Sequence, residues 1–515
     1  MAEVSRTARV IQNAKVALFF YCINLVLQFF SRKIFLDCLG AELLGLNTTA
    51  QSLLQILNLA ESGLGTAIAF ALYKPLSTGN RQEINDIVSI QGWFYRWVAL
   101  FVLFSSIALM VFFPKIFSDI HFPLFYAYGT FISLLISSLL GYFSNYKMIV
   151  LSADQKEYKI TVCVQGINIV KLLTQTLAIF FLNNGYLYWI LLEVVFAIIL
   201  SILISYIVNR EYPWLKPDVS RGSLLKVDYS FILLKTKQLL FHRIAAYVLG
   251  QMTPLLIFYF IDLVAVAIYG NYRIIMGGCN YLVDALSKGF YSSVGNLIAE
   301  NNIKKVKEVF WQLVSLRLYI ASVICVGIFF FSKSFVVLWL GEDYLLGDIA
   351  MSVMTLTYFI QMTRTCDYFL YAYGLFSDVW APVAESLLNF VFSVVLGCLY
   401  GLTGILFGVL ISQLIIVNSW KAYFLYKKGF RENINEYVFK YTIKLLQLSS
   451  AFGFVYIIDN NYFSFNILNL LDWVTSAFIV VGIYSVTAAI ICFMLDNDFK
   501  KIVSRVIRVT FKLKF

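Results

Sequence analysis

Apolar runs long enough to cross a lipid bilayer recur along almost the whole chain. Spanning about 30 Å of hydrocarbon takes about 20 residues of helix. Runs of that order fall near 16–36, 43–73, 90–113, 123–150, 160–182, 186–209, 238–261, 264–299, 309–340, 349–373, 379–400, 403–426, 440–458 and 471–495. The pattern predicts an all-α integral membrane protein with about fourteen transmembrane helices. Polar positions inside the runs fall in stripes. Asn24, Gln28 and Arg32 stand four apart and share one face of the first helix. Gln165, Asn168, Lys171 and Gln175 form a second stripe, and Asn280, Asp284 and Lys288 a third. Such stripes in lipid-length helices face protein or water rather than lipid.

Two blocks of six spans are weakly related. Phe35, Asp37 and Gly45 reappear 225 positions later as Phe260, Asp262 and Gly270; the same shift brings Leu57 to Leu282, Ser62 to Ser287 and Leu72 to Leu297. Gly185 meets Gly404 at a shift of 219. The longest connection without an apolar run, Arg210 to Lys237, holds Pro213, Pro217 and Gly222 and is the expected lobe boundary. The expected organisation is a first lobe over 1–215, a second over 216–430, two further helices over 431–498 and a tail over 499–515. Both lobes enter from one side, so the repeat is parallel, and two six-helix lobes so related are expected to surround a central polar cavity. In the tail, Lys501, Arg505, Arg508 and Lys512 recur at helical spacing among apolar residues. That predicts a basic amphipathic helix on anionic lipid, although the last residues also alternate as a strand would.

Charge supplies the orientation. A net +11 would suggest nucleic acid in a soluble protein, but 60% hydrophobic and 13% charged residues exclude an ordinary soluble domain. The Lys and Arg residues cluster in alternate connections: the N-terminus; Lys74 and Arg81; Lys147, Lys156 and Lys159; Arg210 to Lys237; Lys304, Lys305 and Lys307; Lys421 to Lys444; and the tail. The other connections are short and neutral or acidic, at Asp37 and Glu42, Asp262, Glu342 and Asp343, and Asp459. The alternation places both termini in the cytoplasm and makes lipid, not nucleic acid, the partner. The loop near Asp378 is the exception, expected inside yet without Lys or Arg. Arg6, Arg9 and Lys15 before the first run mimic a signal peptide, but no small-x-small cleavage pattern follows, so that helix is expected to be retained. Eight cysteines, mostly within apolar runs and without ligand spacing, read as core residues rather than a metal site. The two histidines, His121 and His242, belong to no catalytic or nucleotide-binding motif. No catalytic residue, cofactor or metal is expected.

Candidate chemistry lies in basic residues at membrane depth. At about 1.5 Å per helical residue, Arg273, Arg364 and Lys171 fall near the middle of their spans, with Arg243 and Arg317 nearer the cytoplasmic side. Each would cost at least about 2.5 kcal/mol facing lipid. Together they imply a hydrated cationic interior suited to an anionic head group, phosphate above all, to which Arg offers a forked donor pair. Arg32 and Lys33 join this substrate-binding set or snorkel to the outer interface, since Asp37 follows closely. The ordinary structural alternative is pairing, with Asp367 three residues after Arg364 and Lys288 four after Asp284. Glu61, Glu193, Asp284 and Asp367 are the carboxylates at depth, able in principle to carry H⁺ or bind Na⁺. Aromatic residues make up 17% of the chain, so some rings are available as sugar platforms while most are lipid-facing bulk.

Three stretches carry a family resemblance. Asn58 to Pro75 (NLAESGLGTAIAFALYKP), followed by Thr78-Gly-Asn80, resembles the second-helix signature of bacterial polysaccharide-biosynthesis flippases. Asn145 to Tyr158 (NYKMIVLSADQKEY) resembles the family's loop between helices 4 and 5, and Leu338-Trp-Leu-Gly341 the exit of helix 9. The C-terminal lobe matches less clearly. The resemblance is to the polysaccharide transporter (O-antigen/oligosaccharide flippase) branch of the multidrug/oligosaccharidyl-lipid/polysaccharide exporter superfamily. It implies alternating-access translocation of undecaprenyl-diphosphate-linked oligosaccharide, an O-antigen, capsule or exopolysaccharide repeat unit, across the bacterial inner membrane. It further implies coupling to an ion or to the membrane potential, with a polysaccharide polymerase and a chain-length regulator as partners. The rival within the superfamily, a multidrug/cation antiporter, would bear a carboxylate cluster in one lobe. A membrane polysaccharide polymerase would need a large catalytic outer loop, which the short outer connections do not supply.

Overall fold

The computed structural model describes residues 6–61, 63–299, 302–375, 380–462 and 467–512. Among the described residues all fourteen expected spans fall on helical segments, and no strand occurs. The longer helices are α1 (Arg6–Leu57), α2 (Leu64–Thr78), α3 (Arg81–Val111), α4 (Phe125–Phe143), α5 (Glu157–Phe181), α6 (Gly185–Glu211), α7 (Ser230–Phe260), α8 (Leu263–Ala299), α9 (Ile303–Leu340), α10 (Asp348–Met362), α11 (Thr365–Ala372), α12 (Trp380–Gln413), α13 (Asn435–Tyr462), α14 (Leu470–Leu495) and α15 (Asn497–Lys512). Nine of the helical stretches among the described residues are long and apolar enough to cross a membrane by themselves. Helix is the only open-ended way to satisfy every backbone amide in lipid, and Pro75 and Pro254 are carried inside α2 and α7.

Two of the expected spans are joined to neighbours without a loop. α1 changes direction at Gly40 (φ 83°), and α12 reverses at Gly401 (φ 57°). The second reversal is tight, because a Cβ on Gly404 would sit 1.9 Å from the Leu396 carbonyl oxygen and one on Gly408 2.3 Å from the Ser393 nitrogen.

The chain divides into two compact units, Met1–Phe258 with Asp262–Ala267, and Tyr259–Ile261 with Ile268–Phe515. In the first unit α1 packs along α5, α5 along α6, and α4 against α3 and α6. Apolar contact gains little over lipid, so specificity inside a membrane comes from close fit and polar pairs. Asn24 Nδ2 donates to Gln165 Oε1 (2.9 Å) and Thr176 Oγ1 to Ser31 Oγ (2.7 Å), both tying α1 to α5. The polar stripes of these two helices therefore meet each other in part. α7, which follows the Arg210–Lys237 connection, packs into this first unit: Tyr247 donates to the Ser52 carbonyl (2.6 Å) and Phe258 meets Phe117 at 5.4 Å.

The second unit has an aromatic core built on α9, α11 and the chain around 424–437, with Phe310, Trp311, Phe369, Tyr426 and Phe430 almost wholly buried. α13 and α14 pack on each other and α14 on α9. The tail is helical, as the basic spacing predicts: α15 lies against α9, with Phe499 and Ile502 buried and Lys501 bonded to Glu308 (2.7 Å). Gln155 (φ 59°) and Gly374 (φ 67°) both take left-handed conformations.

Candidate functional site

The densest set of charges inside the second unit gathers at a helix break. α10 stops at Met362 and α11 starts at Thr365, with Arg364 non-helical between them (ψ 59°). A break frees carbonyls that helix would have paired. Arg317, from α9, takes one of them: its Nε and Nη2 donate to the Met362 oxygen at 2.9 and 2.5 Å, its Nη1 donates to the Tyr368 hydroxyl, and its guanidinium lies 4.6 Å from that ring. A cation at this C-terminal end also complements the helix dipole. Arg317 is thus buried and fully engaged in holding the break.

Arg364 itself turns to carboxylates. Its Nε lies 2.9 Å from Asp367 Oδ2, the pairing three residues on that the spacing suggested, and its Nη2 lies 3.6 Å from Glu385 Oε2. Lys421 completes the group with its Nζ 2.6 Å from Asp367 Oδ1. Lys421 follows a π-helical stretch, Leu414–Trp420, whose wider turn re-aims the chain ahead of it. Two cations and two carboxylates therefore balance in one cluster. Glu385 is 1% exposed, and its Oε1 has no hydrogen-bond partner. Such an atom costs free energy unless something else satisfies it.

In the first unit the second helix is broken at the family-like signature. Asn58–Glu61 is a 3₁₀ turn, and Gly63 (φ 95°) precedes α2. Glu61 Oε1 accepts from Tyr95 (2.9 Å), while Asn58 Oδ1 accepts from Ser138 and Tyr142 (both 3.0 Å). No cation among the described residues pairs with Glu61. A carboxylate surrounded by hydroxyls and an amide is chemically equipped to hold a proton or a small cation.

The remaining sequence candidates fall as follows. Lys171 Nζ pairs with Glu193 Oε1 (2.7 Å), and Gln175 Nε2 donates to the other oxygen of Glu193 (3.2 Å), so the α5 stripe meets a carboxylate on α6. Arg32 donates to the Ala267 carbonyl (3.1 Å), and Lys33 stands 3.6 Å from Asp37 with both side chains about half exposed (45% and 51%). Arg273 is half-buried and in no salt bridge among the described residues. The side chains of Arg243 and Asp284 lie outside the described residues. The structure thus brings together Arg364 with Asp367, and Lys171 with Glu193. Glu385 and Lys421 escape the sequence reading: Glu385 is a lone acid near the start of an apolar run, and Lys421 resembles the basic residues of the loop that follows.

These features define a multi-pass membrane protein that is all-helical among the described residues, with charged side chains gathered at breaks in its helices. Solved structures of transporters and flippases share this fold. The inward closed conformation of the lipid II flippase MurJ superposes with a TM-score of 0.66 at 16% identity, over 94% of this chain and 99% of that one. An inward-facing MATE multidrug resistance transporter of the MOP superfamily matches with a TM-score of 0.58 at 15% identity, over 77% of this chain and 93% of that one. A MOP superfamily transporter from Pyrococcus furiosus, described as having a binding pocket of reversed polarity, matches with a TM-score of 0.51 at 14% identity, over 83% and 97%. No protein-family model matches the chain, and no curated protein matches it in sequence. The fold expected from the resemblance, that of the multidrug/oligosaccharidyl-lipid/polysaccharide exporters, is the fold found.

Proposed function

We propose that the chain is a flippase for undecaprenyl-diphosphate-linked oligosaccharide, moving O-antigen, capsule or exopolysaccharide repeat units from the cytoplasmic to the outer leaflet of a bacterial inner membrane by alternating access. One observation carries the reading: a fold shared almost end to end with a lipid II flippase is furnished with arginine and lysine at membrane depth. A diphosphate-linked glycan is the cargo such cations suit, because a guanidinium grips phosphate through two donors. Arg273 is the most available contact, being half-buried and in no salt bridge among the described residues. Arg364 and Lys171 reach the cargo by exchanging a carboxylate partner for a phosphate, and Arg243 and the outer pair Arg32 and Lys33 extend the basic path. Arg317 acts by positioning Arg364 through the helix break. Glu61, Glu193, Asp284 and Asp367 are the ion-coupling candidates, for H⁺ or Na⁺. One charge crossing 100 mV supplies about 2.3 kcal/mol, enough to bias a two-state transporter about fifty-fold. Both termini lie in the cytoplasm in this reading, and a polymerase and chain-length regulator act downstream.

A second reading, a multidrug/cation antiporter, draws on Glu61, a carboxylate with no cationic partner among the described residues. The Arg364 cluster weighs against it, since each of its two carboxylates already faces a cation. The separating experiment replaces Arg273 and Arg364 with Gln in a strain that depends on this gene for surface glycan. Surface glycan is expected to fall at least tenfold at unchanged protein level. Normal glycan at normal protein level would overturn the assignment of these two residues.

A further inference from the structure

At the junction of α14 and α15 the chain makes a corner that is fastened from within. Lys444 of α13 is buried and donates to Asp496 (2.6 Å), Asp498 (3.1 Å) and Ser315 of α9 (2.8 Å). Asp496 and Asp498 bracket the first residue of α15, so this buried charge group fixes the direction in which the tail helix leaves the membrane span. Phe499 then turns inward to meet the Tyr319 ring at 5.2 Å, and Lys501 is drawn to Glu308. Beside these contacts a groove of about 460 Å³ stays open between α9, α14 and α15. Its lining is apolar: Ala489, Ile490, Phe493, Met494 and Val503 complete it with Tyr319 and Phe499. Ile490, Phe493 and Met494 expose about half or more of themselves there (53%, 41% and 76%).

The rim is basic. Lys500 is exposed, lies 5.4 Å from the Phe493 ring, and forms no ion pair among the described residues, unlike Lys501. Here an apolar slot on a membrane-spanning helix opens beside a cation, Lys500, that has no ion-pair partner among the described residues, at the span's end, where lipid phosphates stand. Basic residues at a membrane surface each contribute about 1 kcal/mol toward anionic lipid.

We propose that this groove is a binding site for one anionic phospholipid, its acyl chain between α14 and α15 and its phosphate on Lys500. The lipid clamps the tail helix to the α9–α14 pair. The site is separate from the transport reading and stands or falls without it.

The test is quantitation of phospholipid that stays with the full-length protein after detergent extraction and washing, from cells whose bulk lipid is assayed in parallel. Phosphatidylglycerol is expected at about one molecule per chain and enriched over phosphatidylethanolamine relative to the bulk. Lys500→Glu, at an exposed position that leaves the fold intact, is expected to reduce the retained phosphatidylglycerol about fivefold or more. Ala489→Trp fills the slot and is expected to lower retention of any lipid there. A Lys115→Glu control, in the first unit, is expected to change nothing. Retention of the two lipids in their bulk ratio, or phosphatidylglycerol retention unchanged by Lys500→Glu in protein that elutes as wild type does, would overturn the proposal.

Discussion

Residue by residue, the chemistry of the second unit turns on four charges that neutralise one another. Glu385 and Lys421 are buried and Arg364 and Asp367 half-buried, and removing one member of such a pair leaves its partner stranded, at a cost that reaches about 3–5 kcal/mol for a fully buried pair. Replacing Arg364 and Asp367 together removes their mutual pair but also takes Asp367 from Lys421 and Arg364 from Glu385. The losses from Arg364→Met and Asp367→Asn should therefore not add. In thermal-unfolding measurements of the four members of that cycle, non-additivity of about 0.5–3 kcal/mol is expected. Additive losses would mean that the two groups do not share one network. The i,i+3 spacing of Arg364 and Asp367 was legible in the sequence, as was the depth of Lys171. Glu385 and Lys421 were not, because what makes them partners is the reversal at Gly401 and the π-helical stretch before Lys421, both of which act through backbone geometry rather than spacing.

At the scale of elements, the loops explain sequence features that composition leaves unexplained. The stretch Asn145 to Tyr158 closes the ends of α4, α5 and α6. Lys156 lies 2.7 Å from Asp154 and 2.6 Å from Glu211, Tyr212 donates to Asp154 (2.7 Å), and Asn13 of α1 bridges the Gln155 carbonyl (3.2 Å) and the Tyr158 amide (2.8 Å). Burial lowers the Lys156 pKa, but the Asp154 and Glu211 carboxylates outweigh it and hold the ammonium above the ordinary lysine value. A pKa raised by folding gives stabilisation that is complete below the unfolded value, about 10.4, and disappears as pH rises through the folded one. The difference in thermal midpoint between the wild type and Lys156→Met should accordingly stay constant from about pH 6.5 to pH 9 and close only above about 10.5. A difference already shrinking near pH 8 would contradict it. Element existence was readable here because lipid forces helices of fixed length; the breaks at Asn58–Glu61 and Thr363–Arg364 were not, since neither contains proline.

For the whole molecule, hydropathy alone yields the multi-pass helical class, and the fold is one shared with the lipid II flippase MurJ and with a MATE transporter. Identities of 14–16% carry the fold and no substrate. Substrate must then be argued from charge, and the charge is divided: cations paired with acids in the Arg364 cluster and at Lys171, an acid without a cationic partner at Glu61, and Arg273 in no salt bridge among the described residues. The flippase proposal is tested most directly by reconstituting the purified chain in liposomes that carry undecaprenyl-diphosphate-linked oligosaccharide in one leaflet, and following its appearance in the other with a membrane-impermeant glycan-cleaving enzyme. The account predicts translocation well above that of protein-free vesicles, reduced at least tenfold by Arg273→Gln with Arg364→Gln; a rate equal to that of empty vesicles, under an imposed membrane potential and H⁺ or Na⁺ gradient, would contradict it.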